Sequence, residues 1–253
     1  MGRTYLDGLS VLEIGAGSGL AGIVAALLGA SVSITDKAAV VPLLETNAIA
    51  NAPGRVEAGA LRAEALEWGQ RLGGRKRRRH QGDTRHPDLI LASDVLGCGD
   101  AALYPPLLKT LRDLCGPSTS ILMAYKPRAR FERDFFAAAC GASSGGGGPS
   151  AEAPKLFAVR RVGRASLPRD GGGGAGGRTE SYHAPVDLLE LRLAAPAAVG
   201  QPERSSEPAA GSEPAPGPLP AGGPPTERGR ISLPGRVLSD ADFDMYYAGM
   251  DRR

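Results

Sequence analysis

The chain has 253 residues, 42% of them apolar, and a formal net charge of +3. This length fits one domain with or without a tail, and so small a charge argues neither for nor against nucleic acid. No segment is long and apolar enough to span a membrane, and the N-terminus lacks a signal-peptide pattern. The three cysteines, at 98, 115 and 140, lack metal-ligand spacing. We therefore expect a soluble, cytoplasmic protein without a bound metal.

Residues 11–36, VLEIGAGSGLAGIVAALLGASVSITD, carry the strongest pattern in the sequence. A β-branched and apolar run leads into a glycine turn, an Ala- and Leu-rich helix follows, and a second short strand ends at Asp36. This order is typical of the first half of a nucleotide-binding α/β domain. The third glycine of a dinucleotide fingerprint would fall at position 20, which is Leu20. The turn instead combines one acid with alternating glycines, at Glu13, Gly15, Gly17 and Gly19.

This turn favours S-adenosylmethionine over a dinucleotide. Glycines let the backbone approach a ligand closely, and a helix N-terminus suits the pyrophosphate that S-adenosylmethionine lacks. Glu13 beside the turn suits a ligand with cationic groups, and Asp36 would accept hydrogen bonds from two ribose hydroxyls. The alternative is structural: the glycines make a tight turn, and Asp36 caps the next helix.

Alternating strands and helices continue along the chain after Asp36. Helices are predicted over 39–51, 101–116 and 131–141, and strands within 55–69, 87–95, 119–128, 155–163 and 186–194. Such alternation implies a parallel sheet with right-handed crossovers. The last two strands have no helix between them, so we expect an antiparallel hairpin at one edge.

Three motifs downstream of the glycine turn narrow the interpretation. They are LEWG at 66–69, ILASDV at 90–95, and YKPR at 125–128 followed by an aromatic, acid-bearing helix. Together with the turn they resemble the family-sixteen protein-lysine methyltransferases, a group of the seven-β-strand, S-adenosylmethionine-dependent enzymes. The resemblance covers residues 9–141 well and the last two strands loosely. It implies a Rossmann-like α/β fold with a seven-stranded sheet, mostly parallel with an antiparallel edge hairpin, and helices on both faces.

Glycine and proline are concentrated in the C-terminal part of the chain. We expect a methyltransferase domain over 1–194, with glycine-rich insertions near 142–154 and 164–181. Residues 195–230 are rich in Pro, Ala and Gly and have too little apolar surface to offset the entropy of ordering, which predicts a disordered linker. Residues 231–253 regain aromatic side chains, and the sequence does not indicate their role.

The predicted cofactor-binding residues surround these motifs: Glu13, Gly15, Ala16, Gly17, Gly19, Asp36, Trp68 and Ser93. The resemblance implies that residues 15–17 line the methionine part of the cofactor and that Asp36 holds the ribose. It also implies that Trp68 packs near the adenine and that Ser93 lies beside the cofactor. Trp68 could alternatively be an ordinary core aromatic.

Asp94 is the candidate catalytic residue. It follows a buried strand, and ligands of open α/β sheets meet at the carboxyl ends of strands. A lysine side chain, with a pKa of ~10.4, must lose its proton before it attacks a methyl donor, and an acid can orient the amine. The alternative is an acid that caps a helix or braces a loop. The resemblance further implies a protein substrate, such as a chaperone, an AAA ATPase or a translation factor; we expect a monomer.

Two departures from the family pattern leave a non-catalytic binding protein as an alternative. The family has a tyrosine where this chain has Gly97, and Tyr104 on the next helix is the candidate replacement. About ten residues precede the first strand. Family members carry a longer N-terminal extension, which helps to close the cofactor pocket.

An arginine-rich run at 75–79 is typical of nucleic-acid binding or of nuclear import, and a nucleic-acid methyltransferase is the second alternative. No aromatic residue interleaves the run, and the Asn/Asp-Pro-Pro-aromatic motif of amino-methylating nucleic-acid enzymes is missing after the fourth strand. A solvated loop is favoured, so nucleic acid is not the expected partner. A nuclear location beside the cytoplasmic one stays open. Leu20 disfavours a nicotinamide dehydrogenase.

Overall fold

The computed structural model describes residues 6–70, 86–141, 156–165, 186–194 and 236–237. Within these residues, eight strands form one sheet: β1 (Ser10–Ile14), β2 (Ser31–Asp36), β3 (Leu61–Ala65), β4 (Leu89–Ser93), β5 (Ser120–Tyr125), β6 (Phe157–Ala165), β7 (Val186–Leu193) and β8 (Arg236–Val237). Five α-helices accompany them: α1 (Leu20–Leu27), α2 (Val41–Asn51), α3 (Pro53–Glu57), α4 (Tyr104–Leu114) and α5 (Arg133–Cys140). Short 3₁₀ helices lie at Val95–Cys98, Ala101–Leu103 and Arg130–Glu132.

The strands follow the order β3-β2-β1-β4-β5-β7-β6-β8. The first five in this order are parallel, β7 is antiparallel to β5 and β6, and β8 is antiparallel to β6. The prediction of a mostly parallel α/β sheet with an antiparallel hairpin is confirmed. The strand order reverses between β1 and β4. Their carboxyl ends therefore flank the crevice where ligands of such sheets bind.

Side chains of β1 alternate between two apolar clusters, one on each face of the sheet. Leu12 and Ile14 belong to a cluster that includes Phe135 of α5 and leucines of α4. Val11 belongs to a second cluster, with Leu44 of α2 and apolar residues of α1. Helices therefore cover both faces, as predicted. Because β1 is packed from both sides, it gives the glycine turn at its end a firm base.

Two short elements depart from the sequence prediction. Asn51 ends α2 as predicted, but Pro53 then begins α3 instead of a loop. Proline fits the first turn of a helix because its missing N–H would have no partner there. The second element, β8, pairs with β6 and makes the sheet eight-stranded rather than seven-stranded. Two residues are too few to give the alternating signal by which a strand is recognised.

The hairpin is fixed to the parallel strands by Glu190 of β7, which is 2% exposed. Ser120 Oγ of β5 donates a hydrogen bond to its Oε1 at 2.7 Å. Arg160 Nε of β6 donates to Oε2 at 3.1 Å, and Arg192 Nε donates to Oε1 at 3.0 Å. Burial alone would raise the pKa of Glu190, but these hydrogen bonds outweigh it and hold the pKa below its ordinary value. The hairpin is thus joined to β5 by side chains as well as by backbone pairing.

Several predicted segments lie outside the described residues. They are the arginine-rich run 75–79, the insertions 142–154 and 164–181 apart from the end of β6, and the linker 195–230. Of the C-terminal segment 231–253, β8 alone is described. The domain boundaries therefore stay predictions. Among the described helices, none is both long and apolar enough to cross a membrane.

Candidate active site

The glycine turn lies at the carboxyl end of β1, beside β2 and β4. Gly15 and Gly17 have φ angles of +58° and +56°, which L side chains rarely adopt. A Cβ at Gly15 would lie 3.1 Å from Val95 Cγ1 and 3.2 Å from Trp68 Cζ2. A Cβ at Gly17 would have no described atom within 4 Å. The turn is therefore walled on one side and open on the other.

Asp36 ties the end of β2 to this turn. Its Oδ2 accepts a hydrogen bond from Gly17 N–H at 2.8 Å, and its Oδ1 accepts one from Lys37 N–H at 2.7 Å. A carboxylate offers about four lone pairs, so both oxygens can accept a further hydrogen bond. Helix α2 begins without a side-chain cap, so Asp36 does not cap this helix as the alternative interpretation proposed. Its side chain lies half-buried at the end of β2, beside the glycine turn.

Glu13 lies beneath the start of α1 and is 2% exposed. Its Oε2 accepts a hydrogen bond from Gly22 N–H at 2.9 Å, in the first turn of the helix. Burial raises the pKa of Glu13 to about 7, the hydrogen bond from Gly22 opposes this rise, and the charge of Asp36 adds to it. The carboxyl group thus holds the helix start, a task that the sequence pattern did not indicate.

Trp68 lies in the loop after β3 and reaches the glycine turn. Its Cζ2 atom forms the wall beside Gly15 described above, and its ring also packs against the cluster on the α4 face. Gly69 N–H donates a hydrogen bond to Thr110 Oγ1 of α4 at 2.7 Å, which anchors the loop. Trp68 therefore lies both at the turn and against the core, so the cofactor and core interpretations are compatible.

Ser93 and Asp94 lie exposed at the carboxyl end of β4. Asp94 has a φ of +60°, the sole positive φ of a non-glycine residue in the described parts of the chain. Its carboxylate makes no cap bond to the 3₁₀ helix that follows. Instead, Arg128 Nη2 donates to Asp94 Oδ2 at 2.7 Å, and Arg128 Nη1 donates to Asp94 Oδ1. The acid is thus held by an arginine for which the sequence suggested no role.

Arg128 follows β5 and is anchored through its backbone. Its N–H donates a hydrogen bond to Glu132 Oε2 at 2.9 Å, and Tyr125 OH donates to the same oxygen at 2.7 Å. Glu132 is 2% exposed, so this anchor is shielded from water. One signal could have identified Arg128: it stands just beyond the end of β5, the strand next to β4.

Gly97, the position at which the family pattern has a tyrosine, lies under the Arg128 guanidinium. A Cβ at position 97 would lie 2.7 Å from Arg128 Nη1. Tyr104 does not take the place of the missing tyrosine, because it is 3% exposed and its hydroxyl donates to Leu96 O at 3.2 Å. Its ring packs edge-on against Phe135, with centroids 5.8 Å apart. Arg128, rather than Tyr104, occupies the space above Gly97.

The structure brings the predicted site residues together at one edge of the sheet, in two groups. The first group surrounds the glycine turn: Glu13, Gly15, Ala16, Gly17, Gly19, Asp36 and Trp68. The second group, Ser93 and Asp94, ends the adjacent strand β4. Val95 joins the two groups, since it follows Asp94 and its Cγ1 faces Gly15. Among the described residues, no cluster of His, Cys, Asp and Glu side chains could hold a metal ion.

These residues fit an adenosyl ligand better than a phosphate ligand. The open side of Gly17 leaves room for a ligand against the backbone. Asp36 offers acceptors for hydroxyl groups, and the Trp68 ring offers an aromatic face. The Asp36 carboxylate disfavours an anion at the turn, because like charges repel.

Comparisons with known proteins point to one family. A family model described as lysine methyltransferase matches residues 1–141. Protein N-lysine methyltransferase METTL21A of Mus musculus is 42% identical over 137 residues, which cover 53% of this chain and 56% of that protein. The METTL21A protein of Danio rerio is 39% identical over 139 residues, with coverages of 53% and 56%. EEF1A lysine methyltransferase 3 of Mus musculus is 37% identical over 129 residues, with coverages of 51% and 50%. The chain thus spans about half the length of the curated relatives it matches.

Proposed function

Because the chain belongs to the lysine methyltransferase family, we propose that it transfers a methyl group from S-adenosylmethionine to a lysine side chain of a protein substrate. The observation that carries this proposal is the position of Val95, which contacts the glycine turn and directly follows Asp94. A ligand bound at the turn would lie beside the acid that can orient an amine. Such proximity supplies much of the rate of a two-substrate reaction.

The glycine turn would hold the methyl donor. The open backbone at Gly17 receives the methionine part, Asp36 accepts hydrogen bonds from the ribose, and Trp68 packs against the adenine. When bound, S-adenosylmethionine supplies a methyl group on a sulfonium, which an amine accepts as the C–S bond breaks and its electron pair stays on sulfur. The protein's own task is therefore to bind, orient and exclude water.

Asp94 would orient the amine. A lysine ammonium, with a pKa of ~10.4, becomes a nucleophile after its proton has left to water. The Asp94 side chain is 52% exposed and both its oxygens are bonded to Arg128. Each oxygen keeps a lone pair, so Asp94 is suited to accept an N–H of the neutral amine. This hydrogen bond would direct the nitrogen lone pair towards the methyl group.

A protein is the expected substrate class. The name of one relative, EEF1A lysine methyltransferase 3, states that it acts on EEF1A, which supports a translation factor over a chaperone or an AAA ATPase. We further propose that the protein acts as a monomer in the cytoplasm. Because of the arginine-rich run, entry into the nucleus stays an open alternative. Size-exclusion chromatography with light scattering, together with microscopy of the tagged protein, tests these two points.

The function is tested by incubating the protein with methyl-labelled S-adenosylmethionine and a cell extract. We expect labelled material that disappears on protease treatment and survives nuclease, with N-methyllysine recovered after hydrolysis. Calorimetry with S-adenosylhomocysteine measures cofactor binding separately from transfer. Label lost to nuclease would support a nucleic-acid methyltransferase instead. Binding without any transfer would support a non-catalytic binding protein.

A further inference from the structure

Arg128 holds the Asp94 carboxylate from the neighbouring strand, through both guanidinium nitrogens described above. The two side chains are 39% and 52% exposed. Ion pairs as exposed as this contribute little to stability, because water screens them. The bidentate geometry nevertheless fixes the plane and the direction of the carboxylate. The pair therefore has more to do with orientation than with stability.

The guanidinium occupies the space above Gly97. A Cβ at that position would lie 2.7 Å from Arg128 Nη1 and 3.3 Å from Asp94 Oδ1. The Arg128 backbone is bonded to the buried Glu132, so the side chain extends from a fixed point. The glycine at 97 thus makes room for the arginine instead of leaving the site open.

We infer that Arg128 is a positioning residue for methyl transfer: seated over Gly97, it aims the Asp94 carboxylate and cancels its charge beside the substrate amine. The inference rests on the proposed function. The groups facing the guanidinium are Asp94 beyond β4, Tyr125 of β5, Glu132, and the Lys126 carbonyl at 3.4 Å. The hydrogen bonds that Arg128 donates to Asp94, above all, raise the pKa of Arg128, so its charge is permanent at any working pH.

Charge cancellation matters because the neutral amine, not the ammonium, attacks. An uncompensated carboxylate favours the ammonium, whereas a nearby cation favours the neutral amine. With Arg128 in place, the amine finds a hydrogen-bond acceptor without a net negative charge. Without Arg128, the pKa of the bound amine should rise by about one unit, and transfer near pH 7 should fall about tenfold.

The test compares the pH dependence of transfer in three variants, using labelled S-adenosylmethionine and cell extract from about pH 7 to about pH 11, a range that spans the ordinary pKa of a lysine amine, ~10.4. Arg128→Gln should be about tenfold slower near pH 7 and approach the unaltered protein as the pH rises. Arg128→Lys keeps the charge, so its profile should stay in place, while its rate falls because one ammonium cannot hold both oxygens. Gly97→Ala should shift the profile in the same direction as Arg128→Gln, because the added Cβ displaces the guanidinium.

Two variants away from the site serve as matched controls. Gly54→Ala adds a Cβ in α3 with no described atom within 4 Å. Arg112→Gln removes an exposed arginine of α4 that lies 3.7 Å from Asp113. Both should leave the pH profile unchanged. Melting temperature and calorimetric affinity for S-adenosylhomocysteine are measured for every variant, and Arg128→Gln should bind it within about twofold of the unaltered protein.

Four results would contradict the positioning role of Arg128. A rate ratio between Arg128→Gln and the unaltered protein that is constant across pH contradicts the inference, as does a Gly97→Ala profile that matches Gly54→Ala. Loss of S-adenosylhomocysteine binding in Arg128→Gln would mean that the arginine is structural, and the inference would be wrong. If the unaltered protein binds S-adenosylhomocysteine but labels no protein, the proposed function fails and this inference with it. Labelled protein with an unshifted Arg128→Gln profile overturns this inference alone.

Discussion

The carboxyl edge of the sheet joins two halves that are held together by different kinds of bond. In the β1–β2 half, Asp36 and Glu13 accept backbone N–H groups at 2.8 and 2.9 Å, and its residues other than Trp68 lie between positions 13 and 36. In the β4–β5 half, Asp94 is held by the side chain of Arg128, 34 residues away. Backbone donors are fixed by the fold, whereas a long side chain can move. The first half is therefore suited to holding a ligand, and the second can adjust during a reaction.

Asp94→Ala should have the largest effect, because it should impair methyl transfer in the β4–β5 half without impairing cofactor binding in the β1–β2 half. We expect methyl transfer to fall about a thousandfold, because the amine is no longer oriented, while S-adenosylhomocysteine binding changes less than about threefold. Single-turnover labelling and calorimetry measure the two quantities. Asp113→Ala removes a surface acid of α4, bonded to Lys109 Nζ at 2.6 Å, and serves as the control. Equal losses of binding and transfer in Asp94→Ala would show that the halves act as one unit.

Asp36→Ala should produce the opposite pattern. The substitution removes an acceptor for two backbone N–H groups and for the proposed ribose contact. We expect affinity for S-adenosylhomocysteine to fall about a hundredfold, since each hydrogen bond to a charged group contributes about 1.5–3 kcal/mol. Asp36→Asn keeps one oxygen acceptor, so its affinity for S-adenosylhomocysteine should lie between those of the unaltered protein and Asp36→Ala. Unchanged calorimetric affinity in Asp36→Ala would rule out the ribose contact.

Glu13 should make the stability of the β1–β2 half depend on pH. Its folded-state pKa, about 7, lies above the ordinary value of 4.5. The stability that the bound proton contributes is therefore fully present below pH 4.5 and is lost as the pH rises from there to about 7. Glu13→Gln mimics the protonated form, so it should lie within about 1 kcal/mol of the unaltered protein near pH 5 and be more stable by about 3 kcal/mol near pH 8. Urea unfolding at both pH values measures this, and a difference that does not vary with pH would contradict it.

The smallest expected effect concerns the glycine turn itself. Gly15 and Gly59 both have positive φ, +58° and +68°. A Cβ at Gly59 would have no described atom within 4 Å, whereas one at Gly15 would press on Val95 and Trp68. Gly59→Ala should lower the free energy of unfolding by about 1 kcal/mol through backbone strain, and Gly15→Ala by about 2 kcal/mol. If the two variants lose the same free energy of unfolding in urea, Val95 and Trp68 can move aside without cost, which would contradict this prediction.

The same contrast explains how much could be predicted from the sequence. The β1–β2 half was predictable because its residues are neighbours in sequence, so that their spacing alone describes a strand, a turn, a helix and an acid. The alternation of strands and helices likewise predicted the parallel sheet and the hairpin, which are confirmed. The functional roles of the predicted site residues stay predictions until binding and transfer are measured.

The β4–β5 half was less predictable because the fold assembles it. Nothing in the local sequence connects Arg128 with Asp94, or Val95 with Gly15; these contacts depend on which strands are adjacent. The task of Glu13 was missed for a related reason, since its partner Gly22 lies on a helix that folds back over the strand. Short elements such as α3 and β8 escaped detection because they contain too few residues to show a period.

Strand β8 has a consequence for how the protein behaves in solution. It pairs with β6 at Arg160 and Arg161, and so covers part of the outer strand of the hairpin. An uncovered edge strand offers free N–H and C=O groups to the edge of another molecule, which is a common route to aggregation. A version of the chain shortened before β8 would therefore be expected to lose solubility before it loses its fold.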